Sequence, residues 1–157
     1  MKRIFTIALI IFNIILVTGC GNKNKNYEKY ITLRPENNEI QIEENKLSKT
    51  PIFINYEYNG TIIQLIAGIA SDGTNRVSLN TCQSCNPSPY AYFSEENKKL
   101  VCQNCKNMFT LDDVGISANG CNPTPIPFLE RDGLIIINTD ILNEYTPMFE
   151  TWGGPLK

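Results

Sequence analysis

A small, mainly β domain with short helices is the fold class that this 157-residue sequence predicts. Three observations carry it. Two segments alternate in polarity with the two-residue period of a half-buried strand: Ile52, Ile54, Tyr56 and Tyr58, then Ile63, Leu65, Ala67 and Ile69. Asn59-Gly60 lies between them, and both residues tolerate the positive φ that a tight hairpin turn demands. Finally, two C-x-x-C pairs, Cys82/Cys85 and Cys102/Cys105, each follow a strand-like segment.

The remaining elements follow in order. Ser71-Asp72-Gly73-Thr74-Asn75 reads as a turn, and Arg76 to Asn80 as a third strand that delivers the chain to Cys82. Tyr90 to Phe93 and Leu100-Val101 read as a small hairpin around Glu95 to Lys99. Thr110 is positioned to cap one helical turn through Asp113. Residues 119–127 hold three prolines and read as an irregular loop. Leu134-Ile135-Ile136-Ile137 predicts a last buried strand, and Thr139-Asp140 the cap of a short helix ending at Tyr145. The domain is thus expected over residues 50–146, with a Gly- and Pro-rich tail over 147–157.

The chain begins Met1-Lys2-Arg3, followed by an apolar run from Ile4 to Val17. That run falls short of the ~20 residues that span a bilayer comfortably, and its charged start and apolar middle suit a secretory signal over 1–19. Val17-Thr18-Gly19-Cys20 resembles the lipobox of bacterial lipoproteins, in which the cysteine sulfur takes a diacylglycerol and cleavage falls just before it. The alternative is an uncleaved anchor with a chance cysteine. One acyl chain, at ~0.8 kcal/mol per buried methylene, holds a protein to a membrane only marginally, whereas two anchor it stably. Lipidated Cys20 would then begin a polar tether over 20–49, loose or supplying one edge strand. The location this implies is extracytoplasmic, lipid-anchored to the cell membrane.

Composition excludes several chemistries. The net charge is −2, with no basic cluster of the kind that grips nucleic acid. There is no histidine. A Ser-His-Asp or Cys-His catalytic unit therefore cannot be assembled, nor can histidine-ligated zinc, copper or Rieske centres. The c-type haem motif fails because Asn86 and Lys106 follow the cysteine pairs.

The cysteines are the chemistry that remains. Cys82-x2-Cys85-x16-Cys102-x2-Cys105 has the spacing of two zinc-ribbon or rubredoxin-like knuckles, in which a tight turn holds two sulfurs with backbone amides directed at them. Two facing knuckles make a tetrahedral sulfur cage, which suits zinc or iron–sulfur. Spacing alone places zinc slightly ahead of iron. Disulfides are the competing reading, since export usually means oxidising surroundings. Against them stand the odd number of cysteines in the mature domain, where Cys121 is the fifth, and the short loop that pairing within C-x-x-C would close. A thiol–disulfide oxidoreductase would need a βαβ pattern around the motif, and none is present.

The string Ser71-Asp72-Gly73-Thr74…Arg76, Cys82-x2-Cys85, Leu100-Val101-Cys102-x2-Cys105, Val114-Gly115 and Gly120-Cys121-Asn122-Pro123…Pro125 resembles the FtrD-like family of membrane iron–sulfur proteins. The likeness runs from Pro51 to Tyr145. It implies an iron–sulfur centre and an electron-passing role beside a ferrous-iron permease system or another redox protein. Cys82, Cys85, Cys102 and Cys105 are the ligand candidates carried over. Cys121 is a fifth candidate: a ligand replacing one of the four, a redox partner, or a structural thiol. Many members of the family it resembles carry several membrane spans ahead of the cysteine domain, where this chain is expected to have a lipid anchor. The function expected is an extracytoplasmic electron-transfer lipoprotein serving iron uptake. A zinc-bearing structural module that binds an envelope partner is the alternative.

Several neighbours have two readings. The amides of Gln83, Gln103 and Asn104 and the Ser84 hydroxyl either tune the centre or simply form turns. Tyr90, Tyr92 and Phe93 either cover the centre or pack the hairpin. Asp112-Asp113 either binds iron for delivery or starts a solvated helical turn.

Overall fold

The alternating segments form strands in the registers their polarity dictates. The computed structural model describes residues 27–116 and 120–157, so the expected signal peptide and Cys20 lie outside the described residues. Strands β3 (Ile52–Tyr58), β4 (Thr61–Ile69) and β5 (Asn75–Cys82) form an antiparallel meander. The β3–β4 turn is Asn59-Gly60, with φ of 49° and 79°, as the hairpin signal requires. Two short strands complete a five-stranded sheet: β1 (Tyr30–Thr32) pairs parallel to β3 at one edge, and β9 (Pro123–Pro125) pairs with β5 at the other.

Both faces of this sheet are covered. On one face lies a second sheet made of β10 (Leu129–Arg131), β11 (Leu134–Asn138) and β2 (Glu39–Glu43). Ile40, Ile42, Ile135 and Ile137 from that sheet bury against Ile54, Ile63, Leu65, Val77 and Leu79 of the meander. On the other face lies a third sheet of β6 (Phe93–Glu96), β7 (Lys99–Cys102) and β8 (Met108–Phe109). There Phe53 and Ile66 meet Phe93, Leu100, Leu111, Val114 and the cysteines Cys82 and Cys102. The central strands are therefore covered on both sides, and burial is near-continuous along β3 and β4. Among the described residues, no helix is long and apolar enough to cross a membrane.

Several elements differ from the sequence expectations. The segment read as tether supplies two strands, β1 and β2, rather than a single edge strand. β2 is buried because its isoleucines complete the second sheet. The expected helical turn at Thr110 is a run of turns, and Asp113 caps it from the far end, accepting hydrogen bonds from the Thr110 amide and hydroxyl at 2.7 and 2.8 Å. The expected loop over 119–127 contains β9. Its two prolines are tolerated because it is an edge strand, where a missing N–H costs no ladder bond on the open side. Helix α1 (Thr139–Glu144) is present, but its cap is Asn138, whose Oδ1 accepts the Asp140 amide at 2.7 Å. The expected tail is built into the domain: Phe149 is buried, Trp152 packs against it with the rings tilted, and Pro155 and Leu156 reach the central sheet.

Candidate metal centre

The two knuckles are mounted alike. β5 ends at Cys82 and β7 at Cys102, and in each the first cysteine carbonyl accepts the amide four residues on: Asn86 to Cys82 at 3.0 Å, Lys106 to Cys102 at 2.9 Å. Lys106 takes the positive φ, 63°, that closes the second knuckle. Cys121 arrives by another route. β9 sets Pro123 opposite Cys82 in the sheet register, and the Gln83 amide donates to the Asn122 carbonyl at 3.4 Å. Edge pairing thus brings the Gly-Cys-Asn-Pro loop beside the first knuckle.

All five sulfurs lie within 4.8 Å of one another. Cys121 Sγ is 3.1 Å from Cys82 Sγ and 2.7 Å from Cys105 Sγ, and Cys102 Sγ is 3.8 Å from Cys85 Sγ. None of the five is in a disulfide. Four thiolates around one ion at ~2.3 Å stand about 3.8 Å apart, the separation of Cys85 and Cys102, so four of the five sulfurs can share a single tetrahedral site. The donor set is all sulfur, which suits zinc or iron and not the hard cations. Cys82 and Cys102 are buried, while Cys105 opens to solvent. The centre therefore has an apolar floor and one exposed edge.

The surroundings set the thiols apart. Burial pushes Cys102 up to about 12, against the amides of Cys105 and Asn104, which donate to its sulfur. Burial also raises Cys85, while the Asn104 side chain donates to that sulfur and opposes the rise. Burial would raise Cys105 too, but hydrogen bonds from Cys121, the Asn107 amide, Cys102 and Cys85 outweigh it and bring the thiol down to about 7. Cys121 is raised, first by burial and then by its bonds to Cys105 and Cys82. An inorganic cation at the middle of such a group favours every thiolate at once.

The neighbouring residues sort plainly. The Asn104 side-chain amide reaches the Cys85 sulfur, and its Oδ1 accepts the Ser88 hydroxyl at 2.8 Å. Gln103 instead bonds Glu96 and the Val101 carbonyl. Phe93 packs beneath the cysteines, Tyr92 sits edge-on to Trp152, and Tyr90 is exposed. Asp112 and Asp113 serve the backbone: Asp112 accepts the Ser71 amide at 2.6 Å, and Asp113 caps Thr110. The buried amides Asn55, Gln64 and Asn80, which link the sheet to the first knuckle, had no sequence signal beyond being polar residues at inward positions of strands.

Comparison with known proteins gives one informative match. No curated protein matches the chain. Among solved structures, the quaternary ammonium Rieske monooxygenase CntA, crystallised with an inhibitor, aligns at 16% identity and a TM-score of 0.40. The alignment covers 62% of this chain and 30% of that one, and a likeness so weak supports no functional statement. Residues 42–149 match the family model described as "Membrane iron-sulfur containing protein FtrD-like", well over half of the chain, and the protein belongs to that family.

Proposed function

We propose that this protein is an extracytoplasmic electron carrier, lipid-anchored at Cys20, in which Cys82, Cys85, Cys102 and Cys105 hold an iron–sulfur centre. The observation that carries the reading is the convergence of five free thiols within 4.8 Å, four of them on two knuckles and the fifth, Cys121, on the loop before β9. Family membership supports iron over other metals. Bound iron would supply one-electron chemistry. The chain's own part is to bind and to screen. Phe93, Leu100 and Val114 exclude water from the buried side. The amides of Asn104, Cys105 and Asn107, together with the Asn104 side chain, donate to thiolates and stabilise their charge. Exposed Cys105 provides the edge at which an electron enters or leaves. Cys121 touches Cys82 and Cys105 and is placed to act as an alternative ligand. The partner is a redox protein or an iron permease system at the same membrane, a reading that rests on the family resemblance and the anchor.

A zinc-bearing binding module is the second reading. The spread of the sulfurs favours it as much as a single iron, because both metals take four thiolates tetrahedrally. Anaerobic purification of the full chain in detergent separates the two. Coloured protein that contains iron and bleaches with dithionite supports the carrier. Colourless protein with one zinc per chain contradicts it.

A further inference from the structure

The two cysteine-bearing strands are not paired with each other. β5 pairs with β4 and β9, while β7 pairs with β6 and β8. What joins them is the segment Ala91-Tyr92-Phe93, which lies between the knuckles. The Cys82 amide donates to the Ala91 carbonyl at 2.8 Å, and the Gln103 amide donates to the Tyr92 carbonyl at 2.8 Å. The third link is made by a side chain. Asn80 Oδ1 accepts the Phe93 amide at 2.7 Å, and Asn80 Nδ2 donates to the Phe93 carbonyl at 3.1 Å. Phe93 in turn sits opposite Cys102 in the hairpin register. Asn80 is fully buried, two residues before Cys82.

The Asn80 carbonyl itself accepts the Trp152 indole N–H at 2.8 Å. The β5–β9 register also shifts between Leu79 and Cys82. The side chain does what a β-bridge would do elsewhere. Asn80 is also one end of a ladder across three strands. Its Nδ2 donates to Gln64 Oε1 at 2.6 Å, Gln64 Nε2 donates to Asn55 Oδ1 at 2.7 Å and to the Pro155 carbonyl at 2.8 Å, and Asn55 Nδ2 donates to the Leu156 carbonyl at 3.2 Å. Each amide is held in one orientation by the next, so the Asn80 group cannot flip. Only a primary amide offers two donors and an acceptor in this space. Aspartate would bring acceptors to face the carbonyl oxygens of Gln64 and Phe93.

We infer that Asn80 is a positioning residue for the metal centre: it fixes the distance between the two knuckles, and so the geometry in which the thiolates meet an ion. The inference rests on the proposed function only in requiring that the cysteines bind metal. Cobalt(II) is the probe, because its visible bands report tetrahedral thiolate ligation directly. Full-length chain in detergent, stripped of metal and reduced, is titrated with cobalt(II) as wild type, Asn80→Ala and Asn55→Leu. The wild type is expected to develop tetrathiolate bands. Asn80→Ala is expected to bind about tenfold more weakly, with shifted bands, as loss of an outer-sphere support does elsewhere. Asn55→Leu breaks the far end of the ladder and is expected to lose stability while keeping wild-type affinity and bands. Asn80→Ser, a smaller change to the network, carries the same test if the alanine variant does not fold. Asn80 variants indistinguishable from wild type overturn the inference alone, and so does an Asn55→Leu protein that loses affinity to the same extent. Wild type that takes up no cobalt overturns the proposed function, and this inference with it.

Discussion

Serine at Cys102 and serine at Cys105 remove the same atom from the same cluster but should act differently on the metal-free protein. Cys102 is buried among Phe93, Leu100 and Ala91, while Cys105 is exposed. A hydroxyl placed in the Cys102 site loses the apolar match of the thiol and costs about 1–3 kcal/mol. At Cys105 the change should stay within about 0.5 kcal/mol. At roughly 4 °C per kcal/mol for a domain of this size, Cys102→Ser should melt about 4–12 °C below Cys105→Ser when both are reduced and metal-free. The larger core, between the central sheet and β2, β10 and β11, contains no cysteine. Loss of metal should therefore loosen the layer of β6, β7 and β8 and leave the meander folded. Scanning calorimetry of the chelated, reduced variants gives the first comparison, and amide exchange gives the second. Equal melting temperatures, or exchange that spreads at once through β3 and β4, would refute this division of the core.

Three further outcomes are expected. Removing residues 154–157 takes away the Pro155 and Leu156 carbonyls, so Asn55 Nδ2 loses its acceptor and Gln64 Nε2 keeps Asn55 Oδ1 alone; urea unfolding should show a loss of about 1–3 kcal/mol. Gly68→Ala places a methyl 2.6 Å from Leu111 Cδ1 and 3.3 Å from the Ser48 carbonyl, so it should destabilise by about 1–3 kcal/mol through overpacking, again read by urea midpoint. The Lys98 amide, and then Lys29, hold the Glu95 carboxyl below its usual range. Its contribution is present above the unfolded value and is lost as pH falls through the folded one, so the fall in stability between about pH 5 and pH 3 should be shallower in Glu95→Gln.

The central meander was legible because its cause is local. Period-two alternation and Asn59-Gly60 specify β3, β4 and their turn without help from the rest of the chain. The two knuckles were legible for the same reason. What escaped was set by partners distant in sequence. β2 is a strand because it completes a sheet with β11, about a hundred residues away along the chain. β9 reads as a broken loop from its prolines, and it is a strand because β5 has a free edge beside Cys82. The position of Cys121 inherits that illegibility: nothing local says that it meets Cys82 and Cys105. The tail looks disposable from its glycines and prolines, yet its carbonyls are the acceptors that buried amides on β3 and β4 require. A polar residue at an inward strand position, as at Asn55, Gln64 and Asn80, signals that such a partner exists but not where it comes from.

Native mass spectrometry of the full chain, purified without oxygen and released gently from detergent, tests the metal centre most directly. A thiolate-held centre predicts a chain carrying iron, with its mass gain returned by acid to that of a protein with all five domain cysteines reduced. A metal-free chain lighter by two hydrogens for each sulfur–sulfur bridge would contradict it.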